Sequence, residues 1–229
     1  MKIVSLTAAA FLLTAASSPV LAGEVYLSAA GESLNLPVTS YKELRFRSIM
    51  LQQYDFSCGS AALASMLTYH YNRPHSEQDV FEAMYRVGDQ PSIQKSGFSL
   101  LDMKTYLESI GMAADGFHVT LDKIAELQVP GITLVEVNGY KHFVIIKGVK
   151  GNRVLVGDPA RGVRAMERED FEKIWSGVVL LIRTDIAVAQ ASFNPEKDWS
   201  GQAKAPVASA LRQQDIGSFT LHIRPSGLF

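Results

Sequence analysis

The chain has 229 residues, 47% of them apolar and 20% charged, with a formal net charge of −1. That length suits one sizeable domain, and the balance is that of a globular protein, not of a disordered or fibrous one. The near-zero charge gives no electrostatic case for nucleic acid or an anionic membrane surface, and a single cysteine excludes both a disulfide framework and a thiolate zinc cluster.

Residues 1–22 read as a cleavable signal peptide. Lys2 supplies a positive n-region, Ile3 to Ala16 is an apolar core too short to span a bilayer, and Val20-Leu21-Ala22 places compact residues where a signal peptidase cuts. On this reading the mature protein starts at Gly23, is exported, and keeps no membrane anchor. Residues 23–46 read as an N-terminal β arm. Glu24-Val25-Tyr26-Leu27 and Leu34-Asn35-Leu36-Pro37-Val38 form its two strands around Gly31, and Pro37 suits an edge position.

The next stretch, Gln52 to Ala62, holds the only cysteine, Cys58. Small residues follow it and lead into a helix-competent segment, Ala61 to Tyr71. A helix N-terminus offers unpaired N–H groups and the positive end of the helix dipole. A thiol placed there becomes more acidic, and the thiolate is its nucleophilic form. An inert buried cysteine is the common alternative, but the Ser, Gly and Ala around Cys58, and the lack of a disulfide partner in an exported chain, favour a reactive one. Leu63, Met66, Leu67 and Tyr71 recur at helical spacing over Gly59–Asn72 and predict one buried face. A second helix is expected over Ser76–Val87, with Ser76 as N-cap and Asp79 completing a capping-box variant. Gly88 to Gly97 reads as a surface loop. Ser99 then caps a third helix through Met103, Tyr106, Leu107 and Ile110, ended by Gly111.

Beyond Gly111 the pattern changes. Ala113–Val119 reads as a strand and Leu121–Gln128 as a short helix. Three β-rich runs follow at Ile132–Val137, His142–Val149 and Arg153–Gly157. Asn138-Gly139 marks a hairpin between the first two, with a loop longer than two residues, and Lys150-Gly151-Asn152 turns the second into the third. Glu169–Trp175 forms a helix, with Phe171 and Trp175 as core anchors, and Val178–Ile182 a closing strand. A helical half packed on an antiparallel β-sheet is an α+β layout. Residues 47–185 form this domain. Residues 186–229 are a C-terminal extension rich in Ala, Ser, Gln and Pro. Its Phe219–Ile223 run alternates like a strand, as a mobile tail or an arm on the N-terminal hairpin, and Trp199 reads as a clip holding the extension to the domain.

If the strands 142–149 and 153–157 form a hairpin, the start of the first lies beside the end of the second. His142 and Asp158 are then neighbours at one rim of the sheet, where a carboxylate can fix an imidazole's tautomer. With Cys58 facing that rim, the three make a thiol–imidazole–carboxylate triad in the order Cys, His, Asp. Taken singly, His142 reads as a satisfied histidine and Asp158 as a turn residue before Pro159; their joint placement outweighs those readings. His70 and His75 lack metal-ligand spacing with Cys58, so no metal and no cofactor is expected.

These motifs, Gln52-x5-Cys58-Gly59-x-Ala61, His142-Phe143-Val144-Ile145 and Asp158-Pro159-Ala160-x-Gly162, resemble those of the papain-like cysteine peptidases that process bacteriocin precursors after a double glycine. The resemblance runs from about Arg47 to Ile182. It is nearest to the stand-alone exported members, such as the peptidases of functional-amyloid secretion systems. It implies a papain-like fold, with Cys58 as nucleophile, His142 as general base and acid, Asp158 as orienting carboxylate, and the Gln52 amide as an oxyanion donor beside the Cys58 N–H. It further implies a periplasmic endopeptidase that cuts a peptide or protein substrate after a double-glycine type site and serves a secretion or amyloid export system. Two departures stand out. Ser57 replaces an acidic residue that many relatives carry before the nucleophile, and the fused ATP-binding transporter domains are missing. A non-catalytic peptide-binding module and a papain-like acyl or peptidyl transferase remain as alternative functions.

Overall fold

The computed structural model describes residues 24–29, 32–37, 39–54 and 56–200. The signal-peptide reading of residues 1–22 and the strand read over Phe219–Ile223 lie outside them. The chain divides into two units, residues 1–41 and 42–229. In the first, β1 (Glu24–Ala29) pairs antiparallel with β2 (Glu32–Pro37), Glu24 opposite Pro37, which is the hairpin expected there. A short helix, α1 (Tyr41–Phe46), follows.

The second unit is built around α2 (Cys58–His70). The sequence predicts one buried face, yet every residue from Cys58 to Leu67 is buried, and so is His70. Its alanines, glycine and serines let partners approach from all sides, so α2 becomes a central helix and not a surface one. On the helical side it packs against α3 (Glu77–Val87) and α5 (Leu100–Ser109). Ser76 caps α3 by accepting the Asp79 N–H, and Ser99 and Asp102 form a full capping box on α5. The expected loop at 88–97 is instead largely helical, as α4 (Gln90–Ser96). Asp89 caps it, Pro91 sits in its first turn where a missing N–H costs nothing, and Ile93 is buried. One buried apolar residue in a polar stretch is too little periodicity to read as a helix from sequence.

On the other side of α2 lies a six-stranded antiparallel sheet. Its strands are β3 (Ala114–His118), β4 (Gly131–Val137), β5 (Tyr140–Lys150), β6 (Arg153–Asp158), β7 (Gly162–Glu167) and β8 (Trp175–Ile182). Their spatial order is β3-β8-β4-β5-β6-β7. Helix α6 (Leu121–Leu127) links β3 to β4, and α7 (Arg168–Ile174) links β7 to β8. Edge strand β7 escaped the sequence reading because Gly-Val-Arg-Ala-Met-Glu carries little β-branched character. The β4–β5 loop is two residues, not more: Val137 pairs with Tyr140, and Asn138 and Gly139 both take positive φ (53° and 78°). That is the turn an Asn-Gly pair favours in a hairpin.

Two short helices, α8 (Ile186–Ala191) and α9 (Glu196–Ser200), close the described chain. They are tied to the domain by polar contacts. Asn194 N–H donates to the Lys147 carbonyl at 2.9 Å, and the His70 Nδ1 meets Ser192 Oγ at 2.7 Å. Asp198 is buried and lies 3.2 Å from the Lys147 ammonium, which is 1% exposed. Ser48 donates to the same carboxylate at 2.6 Å while its carbonyl accepts from Lys147, also at 2.6 Å. Trp199 lies 5.4 Å from the Lys150 ammonium and 5.7 Å from the Arg153 guanidinium. It clips the extension to the β5–β6 hairpin.

Candidate active site

Cys58 is the first residue of α2, so its backbone N–H has no partner within the helix. Gly59 follows because space runs out: a Cβ there would stand 3.0 Å from Met103 Cε and 3.2 Å from Phe98 Cβ. The thiol lies close enough to the His142 imidazole for the two to interact electrostatically. His142 sits in β5, opposite Val135 of β4, and the far side of its ring meets β6. There Nε2 lies 2.8 Å from Asp158 Oδ1. With Nε2 engaged by the carboxylate, Nδ1 is the nitrogen left for the sulfur.

Asp158 ends β6, and the turn after it organises the carboxylate. Its Oδ1 also accepts the N–H groups of Ala160 at 2.9 Å and Arg161 at 3.2 Å, and Arg164 of β7 approaches its Oδ2 at 3.8 Å. Burial opposes ionisation of Asp158, but the hydrogen bond and charge of His142, with the Ala160 N–H and Arg164, outweigh it and hold the carboxyl below its usual range. Burial likewise pushes His142 down. The hydrogen bonds and charges of Asp158 and Cys58 more than offset that and raise it to about 9. An imidazole that favours its cationic form beside a thiol is the pairing that nucleophilic cysteine chemistry uses.

Gln52 lies in the loop that leads to Cys58. Its backbone N–H donates to the Pro159 carbonyl at 3.0 Å, which fastens it beside the Asp158 turn. Its side-chain Nε2 donates one hydrogen to the Tyr54 carbonyl at 2.9 Å, and its Oε1 is buried without a partner. The second amide hydrogen is the one available to an oxyanion.

Beside Cys58 opens a groove of about 980 Å³, lined by Phe56, Gly59, Phe81, Tyr85, Ile93, Phe98, Leu101, Tyr140 and Phe143, among others. Its aromatic wall is continuous: ring centroids lie 6.1 Å apart for Tyr54–Phe56, 6.0 Å for Phe56–Phe81 and 5.1 Å for Phe81–Phe98. Phe56 and Leu101 remain 60% and 69% exposed, an amount of open apolar surface that a binding groove explains and a bare surface does not. Among the described residues there is no cluster of His, Cys, Asp and Glu that could hold a metal ion, and no helix long and apolar enough to cross a membrane.

Comparison with known proteins agrees with this geometry. The family model for the Peptidase C39 family matches residues 47–186. The chain belongs to the peptidase C39 family. Like its C39 relatives it is a cysteine-type peptidase, of papain-like α+β fold. It is 42% identical over 145 residues to the "Probable functional amyloid protease FapD" of Pseudomonas aeruginosa, covering 63% of this chain and 64% of that protein. The match therefore spans just under two thirds of that relative's length. A protein of the same name from Pseudomonas fluorescens is 39% identical over 173 residues, covering 75% of this chain and 76% of the relative. Among solved structures, the peptidase domain of Streptococcus ComA, a bifunctional ABC transporter involved in a quorum-sensing pathway, superposes with a TM-score of 0.51. It does so at 22% identity, over 59% of this chain and 96% of that one, a likeness of fold.

Two groups at the site were not legible in the sequence. Arg164 lies on the strand that was missed. Glu77 sits between a cap and a capping-box partner and reads as an ordinary first-turn acid; the structure buries it against the loop that precedes Cys58. Only the three-dimensional packing of α3 distinguishes it.

Proposed function

We propose that this C39 peptidase is a periplasmic endopeptidase that cuts a secreted, amyloid- or biofilm-related protein through Cys58, His142 and Asp158. The observation that carries the proposal is an imidazole, His142, held by the Asp158 carboxylate at 2.8 Å and placed beside Cys58 at the edge of an apolar groove.

In this reading a peptide lies along the groove with its scissile carbonyl over Cys58. The thiolate attacks the carbonyl carbon, and the negative charge passes to the carbonyl oxygen. The Cys58 N–H and the free hydrogen of the Gln52 amide receive that charge. His142, held as imidazolium by Asp158, protonates the departing amine and leaves a thioester on Cys58. Neutral His142 then takes a proton from water as the hydroxide attacks the thioester, and the acid product leaves as the Cys58 thiolate and the His142 imidazolium are restored. Nothing in this cycle calls for a metal or a cofactor.

The similarity to the two functional-amyloid proteases supports the substrate class, and the apolar residues 3–16 support export. Cleavage behind a pair of small residues such as double glycine follows from the resemblance of the motifs. The test is comparative mass spectrometry of exported proteins from cells carrying the wild-type chain or Cys58→Ala. One or more new N-termini should depend on Cys58. An unchanged set of N-termini would overturn the proposal in favour of a peptide-binding module.

A further inference from the structure

We infer that Glu77 is a positioning residue that sets the spacing of the two oxyanion donors, Gln52 and Cys58. The inference rests on the proposed roles of those two residues.

Glu77 opens α3 but faces the neighbouring loop. It is 5% exposed. Its carboxylate accepts the Gln53 N–H on both oxygens, each at 3.1 Å, and Oε1 also accepts the Ser57 hydroxyl. Among the described residues no lysine, arginine or histidine forms an ion pair with it, so its partners are neutral donors from one short loop. A buried carboxylate is costly unless it is hydrogen-bonded, and retaining one where an apolar side chain would fit calls for a reason.

The identity of the two loop residues supplies that reason. Gln53 directly follows Gln52, and Ser57 directly precedes Cys58. One rigid carboxylate thus grips the chain next to each proposed donor. Between the grips the loop closes on itself: the Tyr54 N–H donates to Ser57 Oγ at 3.1 Å, and the Ser57 N–H to the Tyr54 carbonyl at 3.2 Å. That same carbonyl holds the Gln52 amide at 2.9 Å. Displacing either grip tilts the Cys58 N–H, the Gln52 amide, or both, away from a common point. An oxyanion site depends on donors converging before the charge develops. The Cys58 and His142 side chains are carried by α2 and β5, outside the loop that Glu77 grips. Glu77 therefore supports the oxyanion donors without supporting the nucleophile.

Two probes separate those roles. Iodoacetamide alkylation needs only the thiolate. A peptide aldehyde ending in glycinal adds to Cys58 as a hemithioacetal: the C–S bond forms, the carbonyl π bond breaks, and its oxygen takes up a proton or the donors' hydrogen bonds. Its affinity therefore reads the oxyanion site. Both are measured on the intact protein for wild type, Glu77→Gln and Glu77→Ala, with thermal unfolding recorded for each. The expected result is a loss of aldehyde affinity of about tenfold or more for Glu77→Ala. Glu77→Gln, which keeps one acceptor oxygen for Ser57 and Gln53, should lose less. Alkylation rates should stay within about twofold of wild type in both, since an unaltered thiolate alkylates at an unaltered rate. Aldehyde affinity unchanged in Glu77→Ala overturns the inference. So does a parallel fall in affinity and alkylation, which marks a merely structural role. A wild-type protein that alkylates no faster than N-acetylcysteine and binds no aldehyde overturns the reading of Cys58 itself, independently of how the Glu77 variants compare.

Discussion

Asp158 Oδ1 and His142 Nε2 stand 2.8 Å apart across the end of the β5–β6 hairpin. The carboxylate thus occupies one ring nitrogen and leaves the other for the thiol. Asp158 raises His142, and His142 lowers Asp158; these are two views of one ion pair and are counted once.

This pair predicts how stability varies with pH. The folded-state value of His142, about 9, lies above its ordinary 6.5. The folded state therefore holds the proton more tightly, and its stabilising effect is complete below about pH 6.5 and lost as pH rises through about 9. Converted at 1.36 kcal/mol per unit, the loss is on the order of 3 kcal/mol. Urea unfolding of wild type and His142→Ala should show a stability difference that shrinks by that order between pH 6.5 and 9. A difference that stays constant with pH would contradict it.

Asp158→Asn should keep the fold but weaken the site. An Asn oxygen can still accept from His142, Ala160 and Arg161, so the turn survives, while the charge that favours the imidazolium is gone. Activity on a peptide substrate should fall by about 10²-fold or more, in line with the worth of a positioned acid–base group. The alkaline limb of kcat/KM should move to lower pH. An unchanged limb would mean that Asp158 does not set the charge of His142.

Gly162 should tolerate no side chain. Its φ is +80°, and a Cβ would lie 2.7 Å from Arg45 Cβ and 2.8 Å from the Arg45 carbonyl oxygen. Positive φ alone costs about 1–2 kcal/mol for an alanine, and the clash adds to it. Because Gly162 pairs with Asp158 across the turn, Gly162→Ala should lower both the unfolding midpoint and the activity. Activity should fall further than the fraction unfolded explains, which parallel activity and denaturation curves would reveal.

Removing either partner of the Lys147–Asp198 pair should be far more harmful than removing both. Burial pulls the Lys147 ammonium well below its ordinary range, and Asp198 opposes that only in part. Asp198→Ala leaves a buried charge without its counter-ion, a loss of about 3–5 kcal/mol. Lys147→Met combined with Asp198→Leu should recover most of it. Chemical denaturation of the single and double variants checks this, and additive losses would argue against the pairing.

The parts of this architecture readable from the sequence are those governed by short-range pattern. The caps at Ser76 and Ser99 announce their helices, and the apolar runs around Gly151 announce a hairpin whose length brings His142 and Asp158 to one rim. What escaped depends on packing between distant segments. Nothing local marks Glu77 as buried against the 53–57 loop, or Lys147 as a core residue. Strand β7 is held mainly by β6, and α4 by its cap and Ile93, so neither carries enough periodicity of its own. The Gln52 amide shows the same limit: its position in the motif says where it stands, while its bond to Tyr54 is a matter of loop conformation.

Asp198 lies twelve positions beyond the stretch matched by the C39 family, 198 against 186, yet it neutralises an ammonium on the strand that carries His142. A chain cut at residue 186 would keep every group proposed for chemistry and still leave Lys147 charged in the core, with Ser48 as its remaining support. The stretch matched by the family therefore stops short of a counter-ion that its own core lysine uses, and trimming the chain within α8 should lower stability without touching the cleft.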